Sequence, residues 1–233
     1  MSCTEQRLLG FIPARGGSVR ALNKNARPIA GMSPIRRAVA AALAAGSLDD
    51  VAFSTDSADY LTEAAAAGAA TDYRRPAQLA TSEAAIADCV TDYLAWHREN
   101  GGRAFSHIVL LQPTSLFRTA AYIDDAVRCW RDSGCRSLVS VRPAAKLPSL
   151  MVWGSPRHGD VALAKQHPAL DANHQPYVLN GAIYIAPVED IIGTGRWWDE
   201  RSAFYVSDSP DPYDIDTEGD LAAAEALLQA QHG

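Results

Sequence analysis

No stretch of this 233-residue chain approaches the roughly 20 consecutive apolar residues that a membrane-spanning helix needs. The opening residues, Met1-Ser2-Cys3-Thr4-Glu5-Gln6-Arg7, lack the charged-then-apolar layout of a secretion signal, so a cytoplasmic location is expected. Cysteine is scarce. Cys3, Cys89, Cys129 and Cys135 form no Cys-x-x-Cys pair, which sets aside a zinc or disulfide framework in favour of free thiols in a reducing compartment. Excess positive charge is also missing: 21 Lys and Arg face 27 Asp and Glu, a formal net charge of -6. That balance argues against a general nucleic-acid binder, because phosphate backbones demand clustered cations. Neither common phosphate-loop signature is present at the first loop, where no Gly-Lys-Ser/Thr closes a Walker motif and no Gly-x-Gly-x-x-Gly appears. There is no internal repeat, and no low-complexity segment beyond alanine-rich helices.

What is present is enough for one large α/β domain. Hydrophobic residues make up 48% of the chain and charged ones 21%, which is ordinary globular usage. The most informative stretch is Leu8-Leu9-Gly10-Phe11-Ile12-Pro13-Ala14-Arg15-Gly16-Gly17-Ser18, followed by Lys24-Asn25. An apolar run that breaks into glycines and two cations reads as a buried strand feeding a phosphate-holding loop. Glycine lets backbone N–H groups turn toward an anion, and Arg15 and Lys24 neutralise it. Arginines gather nearby (Arg15, Arg20, Arg27, Arg36, Arg37) and again at Arg74 and Arg75, consistent with a small anionic ligand.

Strand-like and helical patterns alternate along the chain. Residues 7–13 read as a strand, 33–45 as a helix, 51–54 as a strand and 57–67 as a helix. The segment 84–98 places Ile86, Val90, Tyr93 and Leu94 on one helical face. Ile108-Val109-Leu110-Leu111 is apolar throughout, as a central parallel strand requires; a helix over 119–133 and a strand over 137–141 follow. This alternation implies a mostly parallel sheet with helices on both faces, which binds ligands beyond the carboxyl ends of its strands. Arg15, Ser54-Thr55-Asp56 and Gln112-Pro113-Thr114-Ser115 all stand at such ends. Residues 143–176 hold five prolines and two glycines and read as an excursion, with a strand returning at 177–185. Asp214 and Asp216 stand two apart; in extended backbone they share a side and suit one hard cation, or else they cap the helix expected over 217–231. Thr217 with Asp220 fits a capping pattern for that helix.

Taken together, these stretches resemble the acylneuraminate cytidylyltransferase (CMP-sialic acid synthetase) family. The matching pieces are Ile12-Pro13-Ala14-Arg15-Gly16-Gly17-Ser18, Lys24-Asn25, Ser54-Thr55-Asp56-Ser57, Arg75-Pro76-Ala77-Gln78-Leu79-Ala80, Leu110-Leu111-Gln112-Pro113-Thr114-Ser115, Asn180-Gly181-Ala182-Ile183-Tyr184-Ile185 and Asp214-Ile215-Asp216-Thr217, in the family's order. The resemblance implies one α/β domain over 1–233, a three-layer, mostly parallel sheet of the nucleotide-diphospho-sugar transferase type, with a dimerisation excursion at about 143–176. It implies Mg²⁺-dependent transfer of a cytidylyl group from CTP to an acidic acceptor by a homodimer, with no nucleic-acid or membrane partner.

The same resemblance distributes roles. Arg15, Lys24 and the backbone of Gly16, Gly17 and Ser18 fall to the triphosphate, Asn25 and Arg75 to cytosine. Gln112, Thr114, Asn180, Gly181 and Tyr184 fall to the acceptor, and Asp214 and Asp216 to Mg²⁺, with Asp216 also orienting the attacking hydroxyl. Trp197-Trp198 stands where an aromatic pair contacts the sugar across the dimer interface, or equally anchors the dimer or core. The chain departs from the family loop at Val19 and Leu22. It also lacks the arginine expected before Gln175, the one that meets the acceptor carboxylate, and leaves Lys146 or His174 for that task. A nonulosonic acid is the leading acceptor, with a phosphonate or another small acid, or an inactive nucleotide-binding subunit, as alternatives.

Overall fold

The computed structural model describes residues 6–17, 24–144, 177–206 and 218–230, and the backbone of 152–154 and 161–163. Strand β1 (Leu8–Pro13) leads through the first loop to helix α1 (Pro34–Ala44), then β2 (Asp50–Ser54) and α2 (Ala58–Ala66). A single 3₁₀ turn (Ala77–Leu79) precedes α3 (Ile86–Glu99), β3 (His107–Leu110), α4 (Ala120–Ser133) and β4 (Leu138–Pro143). The short strands β5 (Val152–Gly154) and β6 (Val161–Leu163) pair with each other. β7 (Tyr177–Pro187), α5 (Val188–Thr194), β8 (Ala203–Val206) and α6 (Glu218–Ala230) complete the order.

Side-chain caps set where helices begin. The hydroxyls of Ser33, Ser57 and Thr119 accept from the N–H groups of Arg36, Tyr60 and Tyr122 at 3.2, 3.4 and 3.2 Å, satisfying donors that have no partner inside the first turn. Arg36 then reaches across to α2, where its Nε and Nη2 donate to Glu63 at 2.8 and 3.0 Å.

The main sheet runs β2-β1-β3-β7-β4-β8. β1 pairs in parallel with both β2 and β3, and β4 with β8, while β7 runs antiparallel between β3 and β4. Apolar residues alternate between two cores. Leu8 and Ile12 of β1, Val109 and Leu111, and Ile183 and Ile185 of β7 face α1, α2 and α4. Leu9 and Phe11, Ile108 and Leu110, and Ala186 face α3 and α5. A strand with apolar side chains on both faces has no solvent side, which is why these segments are unbroken hydrophobic runs. A third, smaller core joins Leu221, Ala224 and Leu228 of α6 to Ile29, Leu116 and Phe117, so the last helix covers two loops at the carboxyl edge.

The three-layer α/β sheet agrees with the expectation from the sequence, as do all helices expected up to residue 133. Five elements are not expected from the sequence: the 3₁₀ turn, β5, β6, α5 and β8, each seven residues or shorter and without a full period of pattern. The reversal of β7 was also not foreseen, because burial on both faces looks the same for either strand direction. Of the 143–176 excursion, the structure describes Pro143 and Ala144 at the end of β4 and the antiparallel pairing of β5 with β6, and Thr217 lies outside the described residues. Cys89, Cys129 and Cys135 are free thiols. Among the described residues, no helix is long and apolar enough to cross a membrane.

At the start of β3, His107 lies on the Trp130 ring, centroids 4.5 Å apart, with Arg136, Asp190 and Glu189 around it. Burial, and then the Arg136 charge, hold its pKa below the ordinary value of about 6.5, against the opposing pull of the two carboxylates. The fold therefore favours neutral imidazole. As pH falls from about 6.5 the unfolded chain takes up this proton first, and stability is lost. The thermal midpoint is expected to drop between about pH 7 and 5.5, and the drop should be smaller in His107→Gln. Equal slopes for the two proteins would remove His107 from the acid response.

Candidate active site

Because β2, β1 and β3 run parallel side by side, their carboxyl ends open onto one edge, and the loops that follow them form the candidate site. Its first half is built on β1 and β2. After Pro13, Ala14 N–H still donates to Ser54 O at 2.9 Å, and the chain then turns away at Arg15-Gly16-Gly17. The Gly16 N–H donates to Asp56 Oδ1 at 2.8 Å, so a carboxylate two residues past β2 holds the loop. That amide is engaged by the protein and is not the one left for a phosphate. Gly17 has a left-handed backbone (φ 73°), with open space where a Cβ would stand, a conformation that suits glycine. Arg15 is half-buried and faces the 81–83 loop. There the exposed Glu83 carboxyl is held below its usual range, first by the Ser82 hydroxyl, with Arg15 contributing.

Lys24 and Asn25 re-enter at the start of α1, where the Asn25 carbonyl accepts from Ile35 N–H at 3.0 Å. Asn25 is 7% exposed, and its side-chain Oδ1 has no hydrogen-bond partner among the described residues. A buried acceptor without a donor costs free energy on the order of 1–3 kcal/mol unless a ligand supplies the donor. Arg75 is 5% exposed and lies under the same edge. Its Nε and Nη2 donate to Ser54 Oγ and O at 2.9 and 2.6 Å, leaving Nη1 without a protein partner among the described residues. Beside it, burial and then the hydrogen bond to Asp92 (2.6 Å) push the Tyr73 hydroxyl well above its usual pKa, while Arg75 pulls it down.

The second half is built on β3 and β7. Leu110 pairs with Tyr184, so Gln112 and Thr114 follow β3 beside the reversed strand. Gly181 lies close to Gln112: an added Cβ there would come 3.5 Å from Gln112 Oε1. Gln112, Tyr184, Trp197 and Trp198 line one cleft of about 400 Å³. Trp197 meets Tyr184 edge to face at 6.5 Å, and Trp198 is 48% exposed. Arg118, 3% exposed, donates Nη1 to Ala182 O at 2.8 Å and ties the 112–118 loop to β7.

Asn180 is engaged within the sheet. Its Oδ1 accepts from Ser140 Oγ at 2.5 Å and Ala182 N–H at 3.2 Å, and Nδ2 donates to Tyr122 Oη at 3.4 Å. Ser140 also accepts from Ile183 N–H at 2.8 Å, where the β4–β7 register shifts between Val139 and Val141. Of the arginines grouped near the first loop, Arg36 serves Glu63, and Arg37 donates to the carbonyls of Ile29 and Ala30 at 2.9 and 3.3 Å. Arg74 donates to Asp56 O at 3.0 Å.

The structure thus gathers Arg15, Gly16, Gly17, Lys24, Asn25, Arg75, Gln112, Thr114, Gly181, Tyr184, Trp197 and Trp198 along the loops of one sheet edge and its adjoining cleft. Ser18, Lys146, His174, Asp214 and Asp216 lie outside the described residues. No cluster of three His, Cys, Asp or Glu suited to a metal is found among the described residues. Two positioning residues, Asp56 and Arg118, had no assigned role in the sequence reading. Asp56 stands inside a matched stretch and Arg118 three residues beyond one, but what they grip is backbone distant in sequence.

Comparison with known proteins agrees with this geometry. A family profile described as cytidylyltransferase matches residues 9–175. The CMP-N,N'-diacetyllegionaminic acid synthase of Legionella pneumophila is 34% identical over 229 residues, covering 96% of this chain and 97% of that protein. The N-acylneuraminate cytidylyltransferase of Escherichia coli O18:K1:H7 is 28% identical over 232 residues, and this chain spans only 53% of its length. Among solved structures, CMP:2-keto-3-deoxy-manno-octonic acid synthetase complexed with CTP superposes with a TM-score of 0.72 at 14% identity, covering 97% of this chain and all of that one. At that identity the likeness speaks for the fold.

Asp56→Ala would remove the acceptor that holds the Gly16 N–H. Nucleoside triphosphate affinity is expected to fall about five- to tenfold, roughly the worth of one charge-assisted hydrogen bond, with thermal midpoint little changed. Titration calorimetry checks this, and unchanged affinity would relieve Asp56 of the role.

Proposed function

The chain belongs to the cytidylyltransferase family and is a CTP-dependent nucleotidyltransferase, and on that premise we propose that its acceptor is an acidic nonulosonic (sialic-acid-like) sugar, giving a CMP-conjugate and pyrophosphate. The observation that carries this reading is the juxtaposition of two half-sites: a cation-bearing glycine loop after β1 and an aromatic cleft beyond β3, on neighbouring strands of one sheet edge. The acceptor oxygen forms a bond to the α-phosphorus as the α–β phosphoanhydride bond breaks. Pyrophosphate leaves with the bonding pair, and the hydroxyl proton is released. Arg15 and Lys24 hold the phosphates and offset charge that moves toward the leaving group. Gln112, Thr114 and Tyr184 bound the acceptor and hold its hydroxyl near the α-phosphorus, which converts an encounter into an oriented reaction.

Asn25 and Arg75 take the base. The orphan Asn25 Oδ1 needs a donor, and the exocyclic amino group of cytosine is one, whereas uracil presents an acceptor at the same place. Mg²⁺ suits the donor chemistry of Asp214 and Asp216, two hard carboxylates two residues apart. When bound, it would polarise the α-phosphate, and Asp216 would orient the incoming hydroxyl. A homodimer is supported by Tyr177, Leu179, Phe204 and Val206, which leave an apolar face exposed across β7 and β8, with the Tyr177 and Phe204 rings 5.6 Å apart. In this reading the 143–176 excursion extends from one domain spanning the chain toward the second copy, and the enzyme works in the cytoplasm.

The test is pyrophosphate release with CTP and Mg²⁺ over sialic, legionaminic, pseudaminic and keto-deoxy acids and small phosphonates. Turnover of a nonulosonic acid is expected. Turnover of a phosphonate alone would replace the acceptor class, and no turnover with any acceptor would favour an inactive partner subunit. Asn25→Ala is expected to reduce the preference for CTP over UTP about tenfold, since roughly 1.4 kcal/mol of base-specific hydrogen bonding is lost. Undiminished preference would place base selection elsewhere.

A further inference from the structure

One charged side chain in the β3–β7 cleft has no place in the reading above. Arg196 lines the same 400 Å³ cleft as Gln112, Tyr184, Trp197 and Trp198, and among the described residues no acidic one lines it. Most other arginines of the described structure that border a site are tied down. Arg36 is forked onto Glu63, Arg136 onto Glu189 and Asp190, Arg75 onto Ser54, and Arg74 onto the Asp56 carbonyl. Among the described residues, the Arg196 guanidinium has neither an ion pair nor a hydrogen bond. It is an uncompensated cation in a chain whose formal net charge is -6.

Its position is set from both sides. Gly195 ends α5 in the left-handed conformation (φ 68°), which glycine adopts without strain, and its N–H donates to Ile191 O at 2.9 Å. The Arg196 N–H donates to Thr194 Oγ1 at 3.3 Å, and on the other side Trp197 packs edge to face on Tyr184. The helix end and the aromatic contact therefore deliver residue 196 to the mouth of the cleft, whatever its side chain. The cleft is open and Arg196 is exposed at its mouth, so a carboxylate entering from solvent can reach the guanidinium. A guanidinium offers five donors in a planar fork that matches the two oxygens of a carboxylate, and its ring-stacking face is compatible with neighbouring indoles.

We propose that Arg196 is the acceptor-carboxylate anchor of this enzyme, a specificity residue that selects an acid over a neutral sugar. The assignment rests on the acceptor reading of the cleft given above. Residue 196 is exposed on a loop, so substitution there does not threaten the core.

The experiment compares wild type, Arg196→Ala and Arg196→Lys by pyrophosphate release, using the acidic sugar that wild type turns over and the carboxamide of that sugar. In Arg196→Ala the acceptor KM is expected to rise about ten- to a hundredfold, with kcat and the KM for CTP nearly unchanged, the pattern of lost uniform binding. Preference for acid over carboxamide should collapse in Arg196→Ala and return only in part in Arg196→Lys, which restores charge without the fork. An Arg196→Ala enzyme with the wild-type acceptor KM and the wild-type acid preference would overturn the assignment while leaving the acceptor reading intact. A wild-type enzyme that turns over no acidic sugar would overturn the acceptor reading, and the Arg196 assignment with it.

Discussion

Strand β1 has no side that meets water. Leu8 and Ile12 are sealed beneath α1, α2 and α4, Leu9 and Phe11 beneath α3, and its edges are covered by β2 and β3. The space is tight enough that a Cβ at Gly10 would come 2.8 Å from Leu48 Cδ1. Everything else is arranged around that burial. Once β1 is held as the middle of a parallel triplet, the chain leaving its carboxyl end cannot return along the sheet, and must pass over the same edge as the chains leaving β2 and β3. The glycine loop, the Ser54-Thr55-Asp56 turn and the Gln112 loop meet there because the strands leave no other exit.

Around this edge, buried polar groups divide into two kinds. Some are fully engaged by the protein and act as supports: Ser54 under Arg75, Asp56 under Gly16, and Ser140 and Asn180 at the β4–β7 irregularity. Others keep bonding capacity in hand among the described residues, notably Asn25 Oδ1 and Arg75 Nη1. A folded chain seldom buries such groups without a use, since an unmet donor or acceptor costs more than a solvated one. The supports join neighbouring elements of the sheet to one another, and that keeps the free groups aimed.

Much of the fold was legible in the chain. The strand at 7–13 and the apolar run at 108–111 read as buried strands, and the helices expected at 33–45, 57–67 and 119–133 begin where Ser33, Ser57 and Thr119 cap them in the structure. The β7 reversal was not legible, because an apolar segment buried on both faces carries no sign of direction. Elements as short as α5 and β8 were hidden for a related reason: seven residues or fewer do not complete a periodic pattern. Within the site, Asn180 reads as an acceptor ligand from the sequence, and only the fold shows that its carboxamide also bonds to Ser140, forty residues away. Asp56 and Arg118 act on distant backbone, which no local spacing reveals.

The sequence by itself determined the βα alternation, the glycine-and-cation loop and the residue types suited to phosphate, base and acid, because these depend on local period and on the chemistry of single side chains. Tertiary structure alone decided which of those side chains are free. Arg36, Arg37, Arg74 and Arg196 carry the same group, but three of them find carboxylates or carbonyls across the fold and one finds a cleft. That difference depends on what each fork meets at hydrogen-bond distance, and the partners come from other elements of the chain.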